Sequence, residues 1–151
     1  AGMASTTMYE VKAALLTKLQ ADSTLSSIQT TYGDSGEAMR RESIFMGDIT
    51  ANSHDPESLS SGRRRRREDY TLDVMVAVQS KAAGLQEAEQ RAVTLASAVE
   101  NVIADYPTLS DSVTGLLFIE CSGMSMSSSE AGIDGPRVLI TIHVSVKARL
   151  S

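Results

Sequence analysis

Tryptophan is absent from this 151-residue chain, and aromatic residues of all kinds make up only 4% of it. That scarcity argues against binding modes that stack bases or sugars on aromatic platforms. A single cysteine, Cys121, excludes any intrachain disulfide and hence a disulfide framework. Three prolines leave few forced breaks. No apolar run approaches the ~18 residues that a membrane-spanning helix needs. With two histidines and no His-x-x-x-His spacing, the chain offers no tight metal-ligand pattern. Basic charge is scarce overall: the net charge is -5, so any attraction to nucleic acid must be local.

What the chain does have is the balance of a folded domain. Apolar residues account for 42% and charged residues for 22%, both ordinary for globular proteins. The length suits one domain, and a chain of this size buries roughly 70% of its unfolded surface. We read 1–7 as a disordered segment or cloning remnant, with Ala1 and Gly2 ahead of Met3 and no signal-peptide pattern, and 8–151 as the single domain.

Two features dominate the middle of that domain. Arg63 to Arg67 is an unbroken run of five arginines. Directly after it, Tyr70, Leu72, Val74, Val76 and Val78 alternate with Thr71, Asp73, Met75, Ala77 and Gln79. Alternation at period two is the mark of a half-buried strand. Upstream, 42–49 reads as another strand, and the polar stretch 50–62 reads as a long loop. Together 42–79 is expected to be a projecting hairpin with a polar, basic tip.

Two helices flank it. Met8, Val11, Leu15 and Leu19 place a first helix over 7–21, with Thr6 or Thr7 able to cap it and Glu10, three residues after Thr7, completing a capping-box pattern. Leu85, Ala88, Ala92, Leu95, Val99, Val102 and Ile103 place a second over 85–105, stopped by Pro107. A short extended piece is expected at 28–32, a turn at Gly33-Asp34-Ser35-Gly36, a strand over 113–121, a Ser/Gly/Met loop over 122–135, and a last strand over 137–150. The expected fold class is α+β: a mostly antiparallel sheet of four to five strands with a long hairpin, and two helices on one face.

Candidate chemistry is thin. Cys121 and His143 fall on strands expected to be adjacent, yet a nucleophile also needs an orienting group, and none is visible. His54-Asp55, with Asp48 and Glu57 nearby, reads as a solvated loop rather than a metal site. The Gly33–Gly36 turn lacks the lysine and the strand-turn-helix setting of a phosphate cradle. No catalytic, cofactor-binding or metal residue is assigned. Met124 and Met126 suit an adaptable subunit contact or plain loop filling. The arginine run reads either as a charged edge that discourages strand pairing or as a contact for phosphates or an acidic partner. Without interleaved aromatics or a recognition helix, it suits backbone contact rather than base reading.

The order of elements is also familiar. The helix Tyr9-Glu10-Val11-Lys12-Ala13-Ala14-Leu15-Leu16, the pair Tyr32-Gly33, the segment Phe45-Met46-Gly47-Asp48-Ile49-Thr50, the Arg-rich junction running into Glu68-Asp69-Tyr70-Thr71, the helix Gln86–Ala92 and the closing Val146-Lys147-Ala148-Arg149-Leu150 succeed one another. In this the chain resembles the tail terminator (tail completion) proteins of long-tailed bacteriophages, over nearly its whole length. The resemblance implies a non-enzymatic virion protein without cofactor, assembled in the host cytoplasm and placed at the tail-neck junction. It implies a ring of six copies that caps the tail tube, ends its polymerisation and docks the neck connector or stopper, while double-stranded DNA passes through the lumen without sequence-specific contact. It points to the hairpin tip, 50–68, for assembly or lumen contact. There Arg63, Arg64, Arg65, Arg66 and Arg67 would meet either DNA or acidic residues of a neighbour such as Glu87, Glu89 and Glu100. Other neck rings (a stopper or head-completion protein), the tube protein itself and a non-specific nucleic-acid-binding module stand as alternatives. An enzyme acting through Cys121 is the weakest reading.

Overall fold

The computed structural model describes residues 6–33, 42–56, 66–79, 84–129 and 135–150. Helix α1 (Met8–Ala21) is followed by a short 3-10 turn and strand β1 (Gln29–Thr31). Strands β2 (Glu42–Pro56) and β3 (Arg66–Gln79) come next, then helix α2 (Leu85–Asp105), a second 3-10 turn, and strands β4 (Leu116–Ser129) and β5 (Arg137–Leu150). The five strands form one sheet in the order β1-β2-β3-β5-β4. Only the β1–β2 pair is parallel; the rest is antiparallel. The fold is therefore α+β, as the patterning indicates.

Strand parity decides where the core lies. On β3, Tyr70, Leu72, Val74, Val76 and Val78 are buried; on β5, Val138, Ile140, Ile142, Val144, Val146 and Ala148 are. Register sets Tyr70 opposite Val146, Val74 opposite Ile142 and Val78 opposite Val138, so these residues share one face. Both helices cover that face. From α1 come Val11, Leu15 and Leu19, spaced one turn apart. From α2 come Ala88, Ala92 and Ala96, whose small side chains let the helix lie close, with Leu95, Val99, Val102 and Ile103 filling the layer. Each fully buried Val, Leu or Ile side chain contributes about 1.5–3 kcal/mol. The other face carries Thr71, Asp73, Met75, Ala77, Thr141, His143 and Ser145, all half-buried, and no described element covers it.

Three sequence expectations are corrected. Strand β2 does not end at 49 but continues to Pro56, pairing with β3 up to Pro56 opposite Arg66. The expected polar loop is thus partly strand, and His54 and Asp55 sit in register with Glu68 and Arg67. Strand β4 begins at Leu116 and runs to Ser129, through most of the stretch expected as a Ser/Gly/Met loop. Serine and glycine have weak strand preference, but pairing along β5 overrides it. The arginine half of the hairpin does not begin at the end of the sheet: Arg66 and Arg67 belong to β3 and pair on both sides. The expected turn residues Asp34 to Gly36, the tip 57–65 and the segment 1–5 lie outside the described residues.

A bulge interrupts β2 between Met46 and Ile49. Gly47 sits in it. A Cβ there would lie 3.1 Å from the Asp73 carbonyl oxygen and 3.2 Å from Met75 Cγ. Replacing Gly47 by valine is expected to cost about 1–3 kcal/mol of stability by overpacking, read as a lower urea midpoint, while Gly47→Ala costs less.

Candidate assembly surface

The base of the hairpin is built around one carboxylate. Glu68 is buried (2% exposed), although it neighbours the arginine run. Its Oε1 accepts two hydrogen bonds from Thr7, one from the backbone N–H at 2.9 Å and one from Oγ1 at 2.8 Å. The Thr7 hydroxyl also lies 2.9 Å from the Tyr70 hydroxyl. Thr7 is the residue just ahead of α1 and makes no side-chain cap of its own, whereas Thr6 Oγ1 accepts from the Met8 N–H at 3.2 Å. The expected capping box is therefore not formed: Glu10 is exposed, and Glu68 of β3 does the work assigned to it. A carboxylate at a helix N-terminus meets both free N–H groups and the positive end of the helix dipole. Burial pushes the Tyr70 phenol well above its ordinary range; the hydrogen bond with Thr7 opposes this, and the charges of Glu68 and Glu10 add to it.

Glu68 was legible in one respect. It shares parity with Tyr70 and Leu72, so an acidic side chain at a core-facing position was visible in the sequence. What was not visible is its partner, 61 residues away.

The proposed contact residues separate into two groups. Arg67 is exposed, on the helix-free side with Arg149 opposite, and it is not isolated from other groups. Arg66 lies in β3, and Arg63, Arg64 and Arg65 lie outside the described residues. At the other end of the sheet, Met124 (43% exposed) and Met126 (49% exposed) stand on β4 opposite Ile142 and Ile140. They face the helix side, beyond the cover that α2 provides. Val93 on α2 is also exposed, and Glu89 accepts a hydrogen bond from Ser128 Oγ at 3.4 Å. Glu87 is exposed in the first turn of α2. The span along β5 from Ile140 to Arg149 is roughly 30 Å at ~3.3 Å per residue. The methionines and Glu89 are therefore far from Arg67 of the same chain, and any pairing of Arg67 with Glu89 must be made between copies.

Across the helix-free face, His143 Nδ1 and Asp73 Oδ1 are 2.8 Å apart on neighbouring strands. Cys121 opposes Val144 and faces the helices, lining a groove with Glu100, Ile103 and Phe118. Cys121 and His143 thus point to opposite faces and cannot act as a pair. Burial pushes the Cys121 thiol up, a backbone hydrogen bond with Gly123 works the other way, and the charge of Glu100 adds a lesser upward push; a raised thiol is a poor nucleophile. Among the described residues no group of three or more His, Cys, Asp or Glu comes together to hold a metal, and no helix is long and apolar enough to cross a membrane.

Comparison with known proteins gives one kind of answer. No protein-family model matches the chain, and no curated protein matches it in sequence. Among solved structures, it is similar to a chain of a structure described as the virion of a native gene transfer agent particle. The TM-score is 0.58 at 14% identity, and the likeness spans 91% of this chain and 95% of that one. At this identity the two share a fold.

Proposed function

We propose that this protein is a structural subunit of a phage-like virion, and within the virion a tail terminator. The observation that carries this reading is the nearly end-to-end fold likeness to a chain of a virion particle. The resemblance of its ordered elements to tail terminators supports the finer assignment. On this reading copies of the chain close into a ring, with six as the expected number, at the junction of tail and neck. One side of the ring meets the last tube subunits and ends their polymerisation; the other receives the connector or stopper. Double-stranded DNA passes through the lumen and is touched without regard to sequence. The protein catalyses nothing and needs no cofactor.

A cyclic ring is what a repeated heterologous interface yields when its rotation closes. The separation of Arg67 from Glu89 and the methionines, at opposite ends of the sheet, gives each copy two unlike surfaces, as such an interface requires. Electron microscopy of the purified protein mixed with tail tubes tests the assignment. Rings seated at tube ends, with tubes no longer growing, are the expected result. A protein that stays monomeric in the presence of tubes, or that coats their length, would sink it.

A further inference from the structure

The sheet has an unprotected edge. Strand β4 is outermost, and the segment after α2 meets its outer side at one point: the Ile119 N–H donates to the Pro107 carbonyl at 2.7 Å. From Cys121 to Ser129 no described residue pairs with the outer side. Proteins blunt such edges with lysine, proline or inward charges. This stretch, Cys-Ser-Gly-Met-Ser-Met-Ser-Ser-Ser, has none of these; its one irregularity is a bulge between Cys121 and Gly123, and from Gly123 to Ser129 the register is unbroken.

The opposite end of the sheet is open as well. Strand β1 covers β2 only at Ser43, Ile44 and Phe45. Beyond them, 46–56 has no described neighbour on its outer side. The open lengths of β2 and β4 are similar. Strand direction alternates from β2 through β3 and β5 to β4. A second copy set beside the first in the same orientation therefore brings its β2 antiparallel to β4, which is the pairing the rest of the sheet uses. The faces match too. Ile49 opposes Leu72 and so lies on the helix side at the β2 edge, half-buried. Met124 and Met126 lie on that same side at the β4 edge, exposed. Ile49 is level with Cys121 across the sheet, so a second copy displaced along the strands by roughly 13–20 Å, four to six residues, lays its Ile49 toward the methionines and carries its β1 past the end of β4.

We infer that the outer edge of β4 from Cys121 to Ser129 is a strand-addition site, and that its occupant is the outer edge of β2 of a second copy of this chain. The inference rests on the ring reading for the presence of a neighbour and adds how neighbours join. Main-chain hydrogen bonds supply the attachment, and the methionine rim supplies the apolar cover.

Ser128→Pro removes a main-chain donor that faces outward, since Ser128 opposes Val138 and so falls on the non-bonded rung of the β4–β5 ladder, and Met126→Lys places a charge on its rim. Both are made in the full chain. Each is expected to melt as the parent protein does and to sediment as a monomer under conditions where the parent forms rings. Cysteines at Thr50 and Ser127 together, in a Cys121→Ser background, are expected to oxidise into a ladder of multimers, whereas cysteine at Ser127 alone gives none. Rings that persist unchanged in a well-folded Ser128→Pro protein would overturn this inference and leave the ring reading standing. Dimers from the Ser127 cysteine alone would overturn it in favour of β4 pairing with β4. A parent protein that forms no oligomer, even with tail tubes, would sink both.

Discussion

Replacing Glu68 by alanine is expected to lower stability by about 2–4 kcal/mol, the cost of removing a buried carboxylate that accepts from two donors of Thr7. The carboxylate accepts from the Thr7 N–H and the Thr7 hydroxyl, and that hydroxyl also meets Tyr70. Once the acceptor is gone, a buried N–H at the start of α1 is left without it. Glutamine at the same position keeps an acceptor oxygen but loses the charge, so it is expected to recover about half of the loss. The informative control is Glu10→Ala. The sequence makes Glu10 the capping residue, whereas the structure leaves it exposed, so its loss should change stability by no more than about 0.5 kcal/mol. Urea unfolding followed by far-ultraviolet circular dichroism compares the three. A large loss for Glu10→Ala beside a small one for Glu68→Ala would restore the capping box.

Alkaline instability governed by Tyr70 is the second large effect. The residue is wholly buried, and burial raises its phenol above the unfolded value, which is about 10. The folded state therefore holds the phenolic proton at a pH where the unfolded chain releases it. Fewer protons on the unfolded chain mean that stability falls as pH rises, by ~1.4 kcal/mol for each unit above about 10 until the folded phenol itself ionises. Below about pH 10 this contribution is fully present. Tyr70→Phe removes the titration together with the hydroxyl's bond to Thr7, so near neutrality it is expected to cost about 1 kcal/mol. The two stability curves should then approach and cross near pH 11. Parallel curves through that range would mean that Tyr70 ionises as easily in the folded protein as in the unfolded one.

Both effects arise at a junction that the sequence showed only in part. The helical stripe of α2 and the alternation of β5 are long, regular and locally consistent, and the expected bounds coincide with those observed. The local pattern ends strand β4 at Cys121 because Ser122 to Ser129 carries no apolar alternation beyond Met124 and Met126; its extension is dictated by β5, which the local pattern cannot register. The same holds for β2 beyond Ile49, where pairing with β3 carries the strand on through polar residues. At the candidate surface, composition singled out the arginines and methionines. It could not show that they stand at opposite ends of the sheet, because that follows from strand order, not from spacing along the chain. Glu68 was hidden by its neighbours: beside Arg67 and Asp69 it reads as one more surface charge, and only its parity with Tyr70 sets it apart.

The order in which the chain is made bears on the sheet's central seam. Strand β3 is held on one side by β2, its near neighbour in sequence, and on the other by β5, with Arg66 opposite Leu150. Until β5 has been synthesised, β3 is itself an edge, long and apolar on one face, and β4 has nothing to pair with. Pairings this distant form late and slowly, since a large loop must close before they gain anything. The nascent chain is thus most exposed to mispairing with other copies while its last strand is still missing.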